Sequence, residues 1–154
     1  MNNKGFTLVE LLATIVLLAI VTTIAVPSIM GISNNVKKNM LNTKKELMKE
    51  NAKLYGEDNL TSLAASTKTL RRNGTNTGYK CQVLTIGSLV NDGYITLDED
   101  DEEAGKVINP VDNSDMSDIK IIIYLKNKRV VAAYESEKEK DASGNEITVS
   151  YSCR

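Results

Sequence analysis

The longest apolar segment of the chain lies near its start. Residues 6–26, FTLVELLATIVLLAIVTTIAV, contain one charged side chain, Glu10. A helix of this length rises about 32 Å, which matches the ~30 Å hydrocarbon core of a bilayer. A helix in a soluble core is seldom apolar on every side, so the pattern predicts a membrane-spanning helix. A cleaved secretory signal is the alternative, although its apolar region is only ~7–15 residues long.

An amphipathic helix is predicted for residues 27–55. Apolar residues recur there at steps of three, four or seven, which indicates one stripe on a helix. We expect this stripe to pack on a sheet. Pro27 lacks an N–H and should kink the helix, and Gly56 is expected to end it. The stripe consists of Ile29, Ile32, Val36, Met40, Leu47 and Leu54.

Residues 56–154 predict a head that begins with irregular structure. Residues 57–80 are rich in Ser, Thr, Asn and Gly and predict a loop with one short helix. Within it, Asn73-Gly74-Thr75 matches a glycosylation sequon, a tripeptide that is common by chance. A second short helix is predicted after Thr85, closed by Gly93.

The end of the chain predicts antiparallel strands. Residues 119–125 and 129–135 flank a turn at 126–128 in a hairpin pattern, and residues 146–152 alternate as a further strand after a turn at 141–145. The predicted fold class is α+β, with a long N-terminal helix packed on a three- or four-stranded antiparallel meander.

Composition narrows the chemistry. The chain has no His and only two Cys, which excludes His-dependent catalysis, imidazole metal sites and a four-thiolate zinc site within one chain. Residues 1–55 hold seven Lys and three Glu, whereas residues 56–154 hold twelve basic and seventeen acidic side chains. The two parts of the chain therefore suit different environments. From the missing catalytic and metal-binding residues, no enzymatic activity or cofactor is expected.

Residues 4–11, Lys-Gly-Phe-Thr-Leu-Val-Glu-Leu, resemble the signature of type IV prepilins and of the pseudopilins of type II secretion and competence systems. The resemblance implies that a membrane prepilin peptidase removes the leader, residues 1–5, between Gly5 and Phe6. The new amine of Phe6 is then methylated. Glu10 would pair with the Phe6 amine of a neighbouring subunit during assembly, which would make a buried carboxylate tolerable. The implied fold is the pilin fold.

Gly93-Tyr94-Ile95 and Asn109-Pro110 resemble pilin-like proteins of Gram-positive bacteria. Some pseudopilins bind calcium in a head loop, so Asp98, Asp100 and Glu102 are weak metal candidates, although a solvated acidic loop is the favoured interpretation.

Two further groups of residues in the head have competing interpretations. Cys81 and Cys153 would form a disulfide worth ~4 kcal/mol if the head lies outside the cell, and two free thiols are the alternative. A basic cluster could contact DNA phosphates, but a solvated loop is favoured, so nucleic acid is unsupported as a partner. The cluster consists of Lys68, Arg71, Arg72 and Lys80.

The resemblance implies a structural subunit of a type IV pilus (fimbrium) or a related filament. It would be held in the cell membrane and then displayed as an extracellular filament. Its partners would be other pilin subunits, the prepilin peptidase, a membrane platform and an assembly ATPase. A pseudopilin of a secretion or DNA-uptake machine is one alternative, and a membrane-anchored binding domain that never polymerises is another. Adhesion, motility, secretion and DNA uptake all stay open.

Overall fold

The computed structural model describes residues 7–97 and 106–154, with no side chains described for residues 24–31. The chain forms two compact units, Met1–Met40 and Leu41–Arg154. An N-terminal helix is followed by an antiparallel sheet, which confirms the α+β expectation and is consistent with a pilin fold. The elements are α1 (Leu8–Asp58), α2 (Leu60–Ala64), β1 (Thr69–Arg72), β2 (Thr75–Thr85), α3 (Ile86–Asn91), β3 (Lys120–Lys126), β4 (Arg129–Tyr134), β5 (Ser136–Lys140) and β6 (Glu146–Cys153).

The described strands form one sheet of six, in the order β4-β3-β2-β1-β6-β5. The prediction of a three- or four-stranded meander was wrong because the segment taken for a loop contains β1 and half of β2. Asn73 and Gly74 form the turn between these strands, with φ of 50° and 79°. Asn-Gly is a favoured pair for such tight hairpin turns. Strand β5 was also not predicted. It has the sequence SEKEK and lies at an edge of the sheet, where charged residues are typical.

The predicted hairpin, the strand near the end of the chain and the short helix after Thr85 are confirmed. β3 and β4 form a hairpin around Asn127 and Lys128, and β6 covers the third predicted strand. The helix α3 begins after Thr85, whose side chain and that of Ser88 form a reciprocal capping box.

The face of α1 that packs on the sheet is not the predicted one. Met48 and Ala52 are buried, with Leu41 and Tyr55 packed beside them. Leu47 and Leu54 are 58% and 53% exposed. Neighbouring helix positions point about 100° apart, so a face centred on Met48 and Ala52 turns Leu47 and Leu54 outward. The residues that pack recur at steps of seven, four and three, from Leu41 to Met48, Ala52 and Tyr55, so the helix carries a second apolar stripe that the prediction overlooked.

Gly56 lies inside α1 and does not end it, since the helix continues to Asp58. The residue is buried, and a Cβ atom there would lie 2.7 Å from Cγ1 of Val130 and 3.1 Å from Cδ1 of Ile123. The glycine is therefore a point of close approach between α1 and the sheet. After it, the backbone N–H of Asn59 donates to the carbonyl of Tyr55 at 3.0 Å.

The sheet has a buried core on each face. The first core lies between α1 and one face, and the second core lies on the opposite face. The second core joins residues of β3, such as Tyr124, to residues of β6, such as Tyr151. In a flat sheet these strands, three spacings apart, would be separated by about 14 Å. The ring centroids of Tyr124 and Tyr151 are 6.3 Å apart, so the sheet curls over its second face.

We predict that Gly56→Ala lowers the free energy of unfolding of the head by about 1–2 kcal/mol. The new methyl group clashes with the stiff Val130 side chain, and this cost of overpacking exceeds the ~1 kcal/mol gain in helix propensity. Chemical denaturation of the detergent-solubilised chain gives the value. In the Val130→Ala background the same change should cost less, and equal costs in both backgrounds would contradict the close-approach explanation.

Candidate assembly site and head surface

Glu10 lies in the first turn of α1 and closes a capping box with Thr7. The backbone N–H and the hydroxyl of Thr7 donate to Oε2 of Glu10 at 3.2 and 3.1 Å, and the backbone N–H of Glu10 donates to Oγ1 of Thr7 at 3.3 Å. This arrangement satisfies N–H groups that have no partner within the helix. The carboxylate is also well placed beside the positive end of the helix dipole.

The sequence interpretation assigned Glu10 an intermolecular role only, and it missed Thr7. The available signal was the spacing Thr-x-x-Glu immediately before an apolar run, which is the sequence form of a capping box. Gly5 and Phe6, the predicted cleavage and methylation residues, lie outside the described residues, so their place relative to Glu10 is not described.

The first part of α1 presents a continuous apolar surface. Every described large apolar side chain between Leu8 and Val21 is exposed, and Ile32, Val36 and Met40 extend this surface along the helix. Within the part of the chain that the structure describes, no helix has both the length and the apolar character required to cross a membrane.

Several predicted site residues cannot be compared with the structure. The backbone of α1 is helical through Pro27, but the side chain of Pro27 is outside the described set, and its kink stays a prediction. Asp98, Asp100 and Glu102 also lie outside the described residues. Among the described residues, no group of three or more potential metal ligands is found.

A disulfide joins Cys81 of β2 to Cys153 of β6, with the two Cα atoms 5.8 Å apart. These strands are not neighbours, because β1 lies between them. The bridge therefore crosses the sheet over the beginning of β1. The backbone groups of Thr69 and Arg154 exchange hydrogen bonds at 2.6 and 3.2 Å beside it.

The predicted basic cluster is divided by the sheet. Arg71 and Arg72 are adjacent on β1, and neighbouring strand residues point to opposite faces. Arg71 donates from Nε to the carbonyl of Gly74 at 2.9 Å, whereas Arg72 pairs with Glu139. Asn73, the first residue of the sequon, has a structural role. Its side-chain oxygen accepts a hydrogen bond from the backbone N–H of Ser150 at 2.9 Å.

The curled side of the sheet contains a cavity of about 380 Å³, which we call the tyrosine pocket. The rings of Tyr79, Tyr124 and Tyr151 form a stack, with successive centroids 6.1 and 6.3 Å apart. Sequence reasoning missed this pocket because two of its strands were taken for a loop. It is lined by Leu70, Arg72, Thr77, Tyr79, Tyr124, Lys126, Glu139 and Tyr151.

A polar network forms one wall of the tyrosine pocket. Nη2 of Arg72 lies 2.6 Å from Oε2 of Glu139, and the hydroxyl of Tyr151 donates to the same carboxylate. The hydrogen bond from Tyr151, together with Arg72, lowers the pKa of Glu139. Burial, followed by the contact with Glu139, raises the pKa of Tyr151 to about 12. At neutral pH the network consists of a guanidinium, a carboxylate and a neutral phenol.

Comparison with known families gives one match. A family model described as the prokaryotic N-terminal methylation motif matches residues 1–26. This motif is the class III signal of type IV prepilins and pseudopilins, and the match confirms the resemblance seen in residues 4–11. It gives no support to a Gram-positive origin. Searches of curated proteins and of solved structures returned no significant match.

We predict that Thr7→Val speeds amide hydrogen exchange in the first turn of α1 about fivefold. The change removes the hydroxyl of the capping box, and loss of such a cap costs about 1 kcal/mol. Exchange measured by NMR in detergent micelles reports this directly. Thr14→Val is the matched control, since the Thr14 hydroxyl only donates to the Leu11 carbonyl inside the helix. Equal effects of both changes would show that Thr7 does not cap α1.

We also predict that Tyr151 makes the head less stable as pH rises from about 10 to about 12. Its folded-state pKa of about 12 exceeds the ordinary value of 10.0. In this window the unfolded chain has lost a proton that the folded chain keeps, so the free energy of unfolding falls.

Denaturation curves of the wild type and Tyr151→Phe at several pH values test this prediction. The stability advantage of the wild type should shrink between pH 10 and 12, because phenylalanine does not titrate. An advantage that stays constant across the window would contradict a raised pKa at Tyr151.

Proposed function

We propose that this chain, which carries the class III signal of type IV prepilins and pseudopilins, is a structural subunit of a type IV pilus or pilus-like filament. The family match over residues 1–26 is the single observation that carries the proposal. The long helix α1 and the antiparallel head that follow it support the same interpretation. Proteins of this type are structural, and no catalytic role is proposed.

In this proposal, the prepilin peptidase cuts between Gly5 and Phe6, and the new Phe6 amine is methylated. Cleavage removes residues 1–5, including Lys4, and leaves the Phe6 amine directly before Thr7, the residue that caps α1. Residues 6–26 hold the subunit in the cell membrane until a platform and an assembly ATPase move it into the filament.

Docking of a new subunit would bring the carboxylate of Glu10 to the Phe6 amine of a neighbour. A lone acid inside an apolar environment costs on the order of 3 kcal/mol. Pairing with an amine offsets this cost, and the amine exists only after cleavage. The capping box holds the carboxylate at the helix start, where it is exposed. The interaction therefore favours processed neighbours over unprocessed ones.

The exposed apolar side chains of α1 support assembly through this helix. Each buried Å² of apolar surface contributes about 25 cal/mol, so a surface that extends from Leu8 to Val21 gains a large free energy when lipid or neighbouring helices cover it. Exchange of lipid contacts for helix contacts would let a subunit leave the membrane without exposing this surface to water. The head would then be displayed on the outside of the filament.

A pseudopilin of a secretion or DNA-uptake machine is the second candidate, because pilins and pseudopilins share the signal that residues 1–26 match. Both candidates require processing and polymerisation. A membrane-anchored domain that never polymerises requires neither.

We predict that Glu10→Gln reduces incorporation into filaments at least about tenfold while membrane insertion stays normal. Glutamine can still close a capping box but cannot pair as a charge, so the loss isolates the ion pair. About tenfold corresponds to ~1.4 kcal/mol, less than the cost of leaving one partner of a buried pair alone. The measurement is the amount of subunit in sheared filaments relative to the membrane fraction of the native host.

Thr7→Val is the matched control, because it removes the cap and keeps the carboxylate. Equal losses in both variants would assign the effect to the helix start and contradict the charge-pairing mechanism. Intact mass of the filament protein tests processing separately. A mass that starts at methylated Phe6 supports the proposal, and a mass that starts at Met1 would overturn it.

A further inference from the structure

The tyrosine pocket has the volume of a ligand site, and the assembly proposed through α1 does not use its residues. Its volume of about 380 Å³ falls within the range of small-molecule pockets. Five strands, β1, β2, β3, β5 and β6, contribute side chains to its wall. A flat sheet could not bring β3 and β5 together, so the pocket is a product of the curl.

Three polar groups of the pocket have no hydrogen-bond partner among the described residues, and each of them can donate. The carboxylate of Glu139 already accepts from Arg72 and Tyr151. The hydroxyls of Tyr79 and Tyr124 and the ammonium of Lys126 make no hydrogen bond to another described residue. A ligand rich in oxygen acceptors would satisfy these donors.

The charge of the pocket favours an anionic ligand. Arg72 and Lys126 are the cations among its lining residues, and Glu139 is the one acid among them. Arg72 and Glu139 form an ion pair at 2.6 Å, which leaves Lys126 as the cation outside an ion pair in the described wall. The head is acidic overall, with twelve basic and seventeen acidic side chains in residues 56–154. The lining of the pocket has two cations and one acid, so its charge is opposite in sign to that of the head as a whole.

The apolar part of the pocket distinguishes between three kinds of anionic ligand: free phosphate, nucleic acid and an acidic sugar. The half-buried ring of Tyr79 offers an apolar surface that a free phosphate would leave uncovered. Nucleic acid would require exposed ring faces for base stacking. Tyr124 and Tyr151 are each only 7% exposed, and Tyr124 lies between the other two rings. A sugar ring has an apolar C–H face and a rim of oxygen atoms, which matches both parts of the wall.

We propose that the tyrosine pocket binds an acidic sugar unit of an anionic polysaccharide. The sugar carboxylate lies at Lys126, the hydroxyl of Tyr124 donates to a ring or hydroxyl oxygen, and the C–H face of the sugar packs on the half-buried ring of Tyr79. The pair of Arg72 and Glu139 holds the wall in place and contributes the remaining N–H groups.

Tyrosine fluorescence of the full chain in detergent tests the proposal, because the chain has six Tyr and no Trp, and three of the tyrosines line the pocket. The probes are tetragalacturonate and sialyllactose, with methyl-esterified tetragalacturonate and lactose as their neutral counterparts. We expect at least one acidic probe to bind, with a Kd at least about tenfold lower than that of its neutral counterpart. Lys126→Gln should raise that Kd about tenfold.

Lys120→Gln is the matched control, since it removes the same charge at the opposite end of β3 and should leave the Kd unchanged. Circular dichroism of both variants checks that the head is folded. The proposal is overturned if neither acidic probe binds, if the neutral counterparts bind equally well, or if the two lysine changes have equal effects. Tighter binding of oligothymidine at the same pocket would also overturn it, in favour of nucleic acid. None of these results depends on filament assembly.

Discussion

The sheet of the head is apolar on both faces, and a single helix can cover only one of them. Ile121 and Ile123 of β3 point toward α1, while Ile122 and Tyr124 point away from it, and all four are buried. A flat sheet would expose the second face to water. The sheet curls, and the curl brings β6 over this face and shields it from water. The disulfide depends on this curl, and so does the tyrosine pocket.

Two local features make the arrangement possible. Ala52 and Gly56 leave room for the sheet to approach α1, so that the first core is thin and well packed. On the other face, the disulfide ties β2 to β6 across β1. Closing a loop with a sequence separation of 72 contributes about 4 kcal/mol in the chain-entropy model. The bridge thus stabilises the curl that the second core requires.

The sequence predicted those features whose signal is local. The hairpin around Asn127, the capped helix after Thr85 and the strand before Cys153 each have turn or cap residues at fixed positions. The predicted packing face of α1 was wrong because the helix carries two apolar stripes with helical spacing, and only contact with the sheet selects the one that contains Met48 and Ala52. The tyrosine pocket could not be predicted, since it joins Tyr79, Tyr124 and Tyr151 through a curl that depends on long-range packing.

The disulfide lies within the curled side of the head, so the stability of that side depends on the redox state of its surroundings. Such bonds form in oxidising surroundings, outside the reducing cytosol. The core beneath α1 contains neither Cys81 nor Cys153, so its packing does not include the disulfide. Both cysteines pack in the second core, so oxidation of the two thiols adds a covalent constraint to it. In the proposed filament subunit the head is exported, so formation of this disulfide would complete the pocket-bearing side of the head outside the cytosol.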